Sequence, residues 1–259
     1  MAPTPRLDDA LAPRPAVDPD RSPRYDRDSG LLRHVSALPD SPAATIARVH
    51  LEEGHPLEPI ADAWLLPAEH LWWDGVPDLR QSDALLGTIA LREAIRGRGP
   101  TDAGDDPKPL SILHRAGAAP RVSGDPDAHC SVAHDRDAAV AAIAHAPIGV
   151  DLVGRERFDA SVLQRIASPE EVWAAGAAGV APSEAPSLLW AVKEAVLKGV
   201  GLDLGLHPYR VAVHPDGEST WRADLPPLFR HPRRWRVDVE SWSGRWIAVA
   251  RPSADSPPE

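Results

Sequence analysis

Apolar positions in this chain follow two periods, and the clearest of them marks a helix near residue 190. Leu188, Leu189, Val192, Ala195, Val196 and Val200 recur at the three-and-four spacing of a helix with one buried face. Ser183 predicts its N-cap, Pro186 suits a first turn, and Gly199 and Gly201 predict its end. Lys193, Glu194 and Lys198 fall largely outside the apolar stripe. Read alone, Glu194 and Lys198 are an ordinary i,i+4 ion pair on a solvated face, worth about 0.2–0.5 kcal/mol.

Around that helix the period alternates between two and 3.6. Residues 44–51 alternate as a strand, 61–66 lead into a helix start at Pro67-Ala68-Glu69, and 83–95 carry a second long helical pattern. The paired Trp72-Trp73 is expected to pack. Residues 97–109 read as a loop and 111–114 as a strand. The Ala- and Val-rich run 138–146 is ambiguous by period; a turn at His145-Ala146-Pro147 before an apolar strand at 148–153 favours a buried strand. A helix over 159–165 is followed by Ser168-Pro169, an N-cap with Pro at N1. Strands are expected at 209–213, 235–239 and 246–250, the last pair joined by a turn at Ser243-Gly244.

Both halves thus run from a strand through helices to strands, which predicts an α+β chain built as a duplication. The expected organisation is a disordered extension over 1–42, with at most a short element at 31–35. An N-terminal α+β subdomain over 43–146, a C-terminal one over 147–251 and a frayed tail over 252–259 follow. The extension is rich in Pro, Asp, Arg and Ala without an apolar period, so it buries too little to offset its ordering entropy.

Composition narrows the function. The 259 residues carry 28 Lys and Arg against 38 Asp and Glu, a net charge of −10, which argues against a general nucleic-acid binder. The one local basic cluster, Arg230, Arg233, Arg234 and Arg236, reads as a solvated strand edge. The single Cys130 fits a reducing compartment, no apolar run approaches a bilayer span, and the N-terminus lacks a leader's apolar core. A cytoplasmic monomer without membrane or nucleic-acid partners is expected.

The chemistry starts at Ile148-Gly149-Val150-Asp151-Leu152-Val153, an apolar strand interrupted by one carboxylate. Gly149 permits close backbone approach, and a buried Asp151 needs a cation. One reading makes Asp151 a structural cap at a strand end. The other sets it beside Glu194: two carboxylates from a strand and a helix can hold Mg²⁺ whose shell is completed by phosphate oxygens and water. Lys193 and Lys198 would then neutralise phosphate as point charges. A zinc set of His114, His129, Cys130 and His134 matches no standard ligand spacing.

The segment Ile148-Gly149-Val150-Asp151, together with Trp190-Ala191-Val192-Lys193-Glu194-Ala195-Val196-Leu197-Lys198, resembles the two signature motifs of 4′-phosphopantetheinyl transferases of the surfactin type. Ser131-Val132-Ala133-His134-Asp135 stands where that family has a serine–histidine motif, and clear resemblance covers about residues 115–213. The resemblance implies two similar α+β subdomains related by a pseudo-twofold. It also implies transfer of the phosphopantetheine arm of coenzyme A, the co-substrate, to a serine of an acyl- or peptidyl-carrier protein. Asp151 and Glu194 would hold Mg²⁺, Lys193, Lys198 and His134 would contact phosphates, and Glu194, a water on the metal or, less favoured, Glu171 would accept the serine proton. Departures from the family pattern are Val153 for a third carboxylate, Ala133 for the serine, and Ala119 and Asp83 at basic positions; Arg80, Arg115 or Arg121 are possible substitutes. The alternative is a divergent member that grips a carrier protein or acyl-coenzyme A without transfer, or that reuses the cleft for other chemistry.

Overall fold

Two antiparallel sheets, each covered on one face by a long helix, lie against one another through their uncovered faces. The computed structural model describes residues 24–26, 29–38, 41–98, 111–114, 118–155, 157–158, 160–201, 208–226 and 232–254. The first sheet has the order β1 (Arg24–Asp26), β2 (Leu31–Leu38), β3 (Ser41–Leu51), β7 (Ala138–Ala144), β6 (His129–Asp135). Its helix is α3 (Asp78–Gly97), preceded by α1 (Leu57–Trp64) and α2 (Pro67–Asp74). The second sheet has the order β8 (Gly149–Gly154), β12 (Arg245–Pro252), β11 (Arg234–Trp242), β10 (Thr220–Asp224), β9 (Ala212–Pro215). Its helix is α6 (Ala185–Val200), preceded by α4 (Ala160–Ile166) and α5 (Pro169–Ala177). A two-residue pair, β4 (Ile112–Leu113) with β5 (Arg121–Val122), completes the strands described.

Alternation explains the layers. On β7, Ala139, Ala141 and Ile143 face α3, while Val140 and Ala142 face the second sheet. A strand buried on both sides reads as a continuous apolar run, hence the ambiguity of its period. On β8, Val150 and Leu152 pack into the joint beside Ile46, Ile247 and Val249, so Asp151 and Val153 turn toward α6. The Ser131 hydroxyl accepts a hydrogen bond from the Val150 amide at 2.9 Å, fastening β6 to β8 across the joint.

Three expectations need correction. Residues 24–26 and 31–38 lie within the segment expected to be disordered, yet they form β1 and β2, with Leu31, Val35 and Leu38 buried. A register shift at Ala37/Leu38 breaks the period-two signal there, and pairing with β3 supplies what local pattern does not. The strand expected over 209–213 opens as a 3₁₀ turn, Pro208–Arg210, and β9 starts at Ala212. Strand β10, with Trp221 and Ala223 buried in alternation, went unrecognised. Residues 1–23 and 255–259, at the two expected disordered ends, lie outside the described residues.

Candidate active site

Helix α6 is buried around most of its circumference rather than along one stripe: Lys193 and Glu194, expected on a solvated face, are 0% and 3% exposed. It starts after Glu184 rather than at Ser183, with Pro186 in its first turn, and ends at Gly201 in the left-handed region (φ 74°). Gly149 and Gly199 let strand and helix backbones touch. A Cβ on Gly149 would overlap the Ala195 carbonyl oxygen and the Gly199 nitrogen, and one on Gly199 would strike the Trp235 ring. This close approach brings Asp151 of β8 under the last two turns of α6.

There the Lys198 ammonium donates to Asp151 Oδ1 at 2.7 Å. Asp151 is 6% exposed, and burial pushes its carboxyl above the usual range against the opposing pull of Lys198. Burial, then the charge of Asp151, push Glu194 up to about 7, with Lys198 again opposing. A buried carboxylate whose charge raises the proton affinity of a second one marks a site short of positive charge. His134 closes the site from β6, its Nδ1 3.3 Å from Asp83 Oδ2. Its pKa is lowered, by burial first, with Lys198 and Arg80 acting in the same sense and Asp83 and Asp151 against it. Asp151, Glu194, Lys198 and His134 therefore share one electrostatic neighbourhood, to which α3 contributes Asp83.

Lys193 belongs elsewhere. Its ammonium donates to the Ile166 carbonyl at 2.7 Å and to Glu171 Oε2 at 2.9 Å, so it cannot meet phosphate as the resemblance implied. Glu171 is equally committed. Its Oε2 also accepts from the Ser168 amide at 2.8 Å and its Oε1 from the Val213 amide at 2.9 Å, which leaves it no role as a proton acceptor. Val153 is buried in the core beneath α6. His114, of the conceivable zinc set, stacks on Trp72 with centroids 3.7 Å apart and meets the Thr88 hydroxyl at 3.2 Å. Among the described residues no group of three His, Cys, Asp or Glu side chains is placed to hold a metal ion. The carboxylates at the site are a pair.

Beside His134 opens a cleft of about 1030 Å³ between the two halves, with Arg80, Arg136, Arg155, Arg157 and Arg245 in its walls against Asp83 and Asp135. Of these five, Arg80 alone is expected from the sequence. Their wide spacing gives no local signal beyond the short Arg155-Glu156-Arg157, and only the joint of the sheets gathers them. Arg115, named as another substitute, lies outside the described residues, and Arg121 is on β5.

Comparison with known proteins finds similarity over part of the chain. The 4′-phosphopantetheinyl transferase psf-1 of Bacillus pumilus is 30% identical over 106 residues, covering 40% of this chain and 46% of that protein. The chain thus spans less than half of the curated relative it matches. Among solved structures, holo-[acyl-carrier-protein] synthase from Neisseria meningitidis superposes with a TM-score of 0.35 at 21% identity, covering 40% of this chain and 94% of the other. The family model of the 4′-phosphopantetheinyl transferase superfamily matches residues 147–250, the stretch that holds Asp151, Glu194 and Lys198.

Proposed function

We propose that this chain transfers 4′-phosphopantetheine from coenzyme A to a serine of an acyl- or peptidyl-carrier protein. The observation that carries the reading is the buried Asp151–Glu194 pair with Lys198 bonded to Asp151. Its donor chemistry suits Mg²⁺, which takes one or two protein carboxylates and fills its shell with phosphate and water. Asp151 and Glu194 would hold the ion, and its contribution when bound is to neutralise charge on the pyrophosphate. Lys198 neutralises the same charge from the protein side. The carrier serine Oγ forms a bond to the phosphorus that bears the pantetheine, while the bridging P–O bond breaks. Its electron pair leaves on the 5′-phosphate of adenosine 3′,5′-bisphosphate. Glu194 takes the serine proton. Incubation with coenzyme A, Mg²⁺ and a panel of apo-carrier proteins should add the arm, read by mass spectrometry. No modification of any carrier, with a known transferase succeeding in parallel, overturns the proposal.

A second reading rests on Asp83 facing His134 and on Val153 in the core, both where the resemblance expects polar contacts. It holds that the fold grips a carrier without transfer. It requires carrier binding that survives Glu194→Ala with no transfer by the unaltered chain.

A further inference from the structure

We infer that the protein has a second ligand site, for a small organic carboxylate with an apolar body, in a separate cavity between the two sheets. The cavity measures about 710 Å³, within the size range of small-molecule pockets. It shares no lining residue with the cleft beside His134, so the inference stands independent of the coenzyme A reading. Alternation builds it. Val35 of β2 and Ala47 and Val49 of β3 pack beneath α3, so His34, Ser36, Ile46 and Arg48 turn toward the second sheet. Val237 and Val239 of β11 pack beneath α6, so Asp238 and Glu240 face them from the other side. Leu38, Ile46 and Val249 supply an apolar wall.

Arg48 carries the argument. It is 6% exposed, and a buried guanidinium is costly unless its donors are used. Its Nε donates to Glu240, and its Nη1 donates to His34 Nδ1 at 3.2 Å and to the Ser36 hydroxyl oxygen at 2.9 Å. Guanidinium offers no acceptor, so His34 Nδ1 must accept and the ring proton sits on Nε2. Burial, then the charge of Arg48, lower the pKa of His34 against the pull of Glu240, which keeps the ring in that neutral form. Arg48 Nη2, His34 Nε2 and the Ser36 hydroxyl hydrogen have no acceptor among the described residues. Surplus donors around one buried cation call for an anion. Glu240 shows that a carboxylate fits this guanidinium, and it can yield, since its side chain is 44% exposed. Asp238 is occupied by Arg236 at 3.1 Å and Arg251 at 3.0 Å. With Glu218, these acids repel a phosphate dianion more than a single carboxylate, so the ligand is a monoanion.

The test is calorimetric titration of the whole chain with octanoate, octanol, octylamine and octyl phosphate in turn. Octanoate should bind at least tenfold more tightly than each of the other three. Arg48→Gln should weaken it tenfold or more, and His34→Phe, which keeps a ring without the N–H, several-fold. Glu240→Gln, which frees the guanidinium of its resident carboxylate, should tighten it several-fold; this exposed position answers the question even if the Arg48 variant folds poorly. Octanol binding as tightly as octanoate reduces the cavity to an apolar void and overturns the proposal. Octylamine binding most tightly assigns the cavity to its acids and overturns it equally. Octyl phosphate binding more tightly than octanoate overturns the carboxylate assignment. No binding of octanoate, or an affinity unchanged in both the Arg48 and Glu240 variants, overturns the site itself.

Discussion

The two halves contain the same buried knot, and only one of them surrounds it with chemistry. In the C-terminal half, Glu171 of α5 accepts from the amide of the N-cap residue Ser168, from the β9 amide of Val213 and from Lys193 of α6. In the N-terminal half, Glu69 of α2 accepts from the amide of Leu66, from the β4 amide of Ile112 and from Arg92 of α3. Each glutamate stands two residues after a helix-starting proline, Pro67 or Pro169, and each cation is followed by Glu-Ala. The glutamate after the cation is where the halves part. Glu93 is neutralised by Arg96 at 3.0 Å and Arg33 at 3.8 Å, whereas Glu194 faces Asp151 and Lys198. A knot that recurs where no carboxylate pair exists is scaffold, and this is why Lys193 and Glu171 are best understood as holding α6 in place.

The largest expected difference between the halves lies in catalysis. On the proposed function, Glu194→Gln should lower transfer by about 10²–10³-fold, the range for removing one charge-stabilising group. Glu93→Gln should leave the rate within about twofold, a control free of the active site; comparable losses from both, measured as initial rates, would dissolve the distinction. Breaking the knots should cost stability in both halves. Glu171→Ala strands Lys193 and Glu69→Ala strands Arg92, each costing about 3–5 kcal/mol in denaturant unfolding. Glu69→Ala should be the more severe, because arginine cannot shed its proton and lysine can. Glu171→Leu combined with Lys193→Met should recover much of the loss, since no buried charge remains.

Next comes the pH dependence that only the C-terminal half should show. Glu194 binds its proton more tightly when folded, at about 7 against 4.5 unfolded. Its contribution is therefore complete below about pH 4.5 and lost as pH rises through 7. The separation of about 2.5 pH units at about 1.4 kcal/mol each amounts to roughly 3 kcal/mol. Unfolding curves from pH 4.5 to 8 should show this decline in the unaltered chain and a smaller one in Glu194→Gln, where the raised Asp151 still titrates. The smallest effects belong to Leu71 and Trp173, which occupy matching positions on α2 and α5 and are 77% and 76% exposed. Either replaced by alanine should alter stability by no more than about 0.5 kcal/mol.

Much of this was legible along the chain because it is local. The capping box at Ser168 and Glu171, the turn at Ser243-Gly244 with both residues at positive φ, and the stop at Gly201 each follow from a few neighbouring side chains. Gly149 announced a close approach, and Asp151, Glu194, Lys198 and His134 do meet in one neighbourhood. The misjudged residues depend on partners far away. Lys193 looked solvent-facing because it is charged, although its three-and-four neighbours Leu189, Trp190, Val196 and Leu197 are all apolar; partners from α4 and α5 hold it in the interior. Strand β2 has no period of its own because its register is set by β3.

Sequence by itself determined the α+β class, the helix that carries Glu194 and Lys198, and the carboxylate on the strand beside it. Those are properties of short stretches, where spacing decides which side chains share a face. Tertiary structure alone decided which charged groups are scaffold and which are free to act, and it alone gathered five distant arginines into one cleft. A charge takes its role from the dielectric and the partners around it, and those are set by elements tens of residues apart.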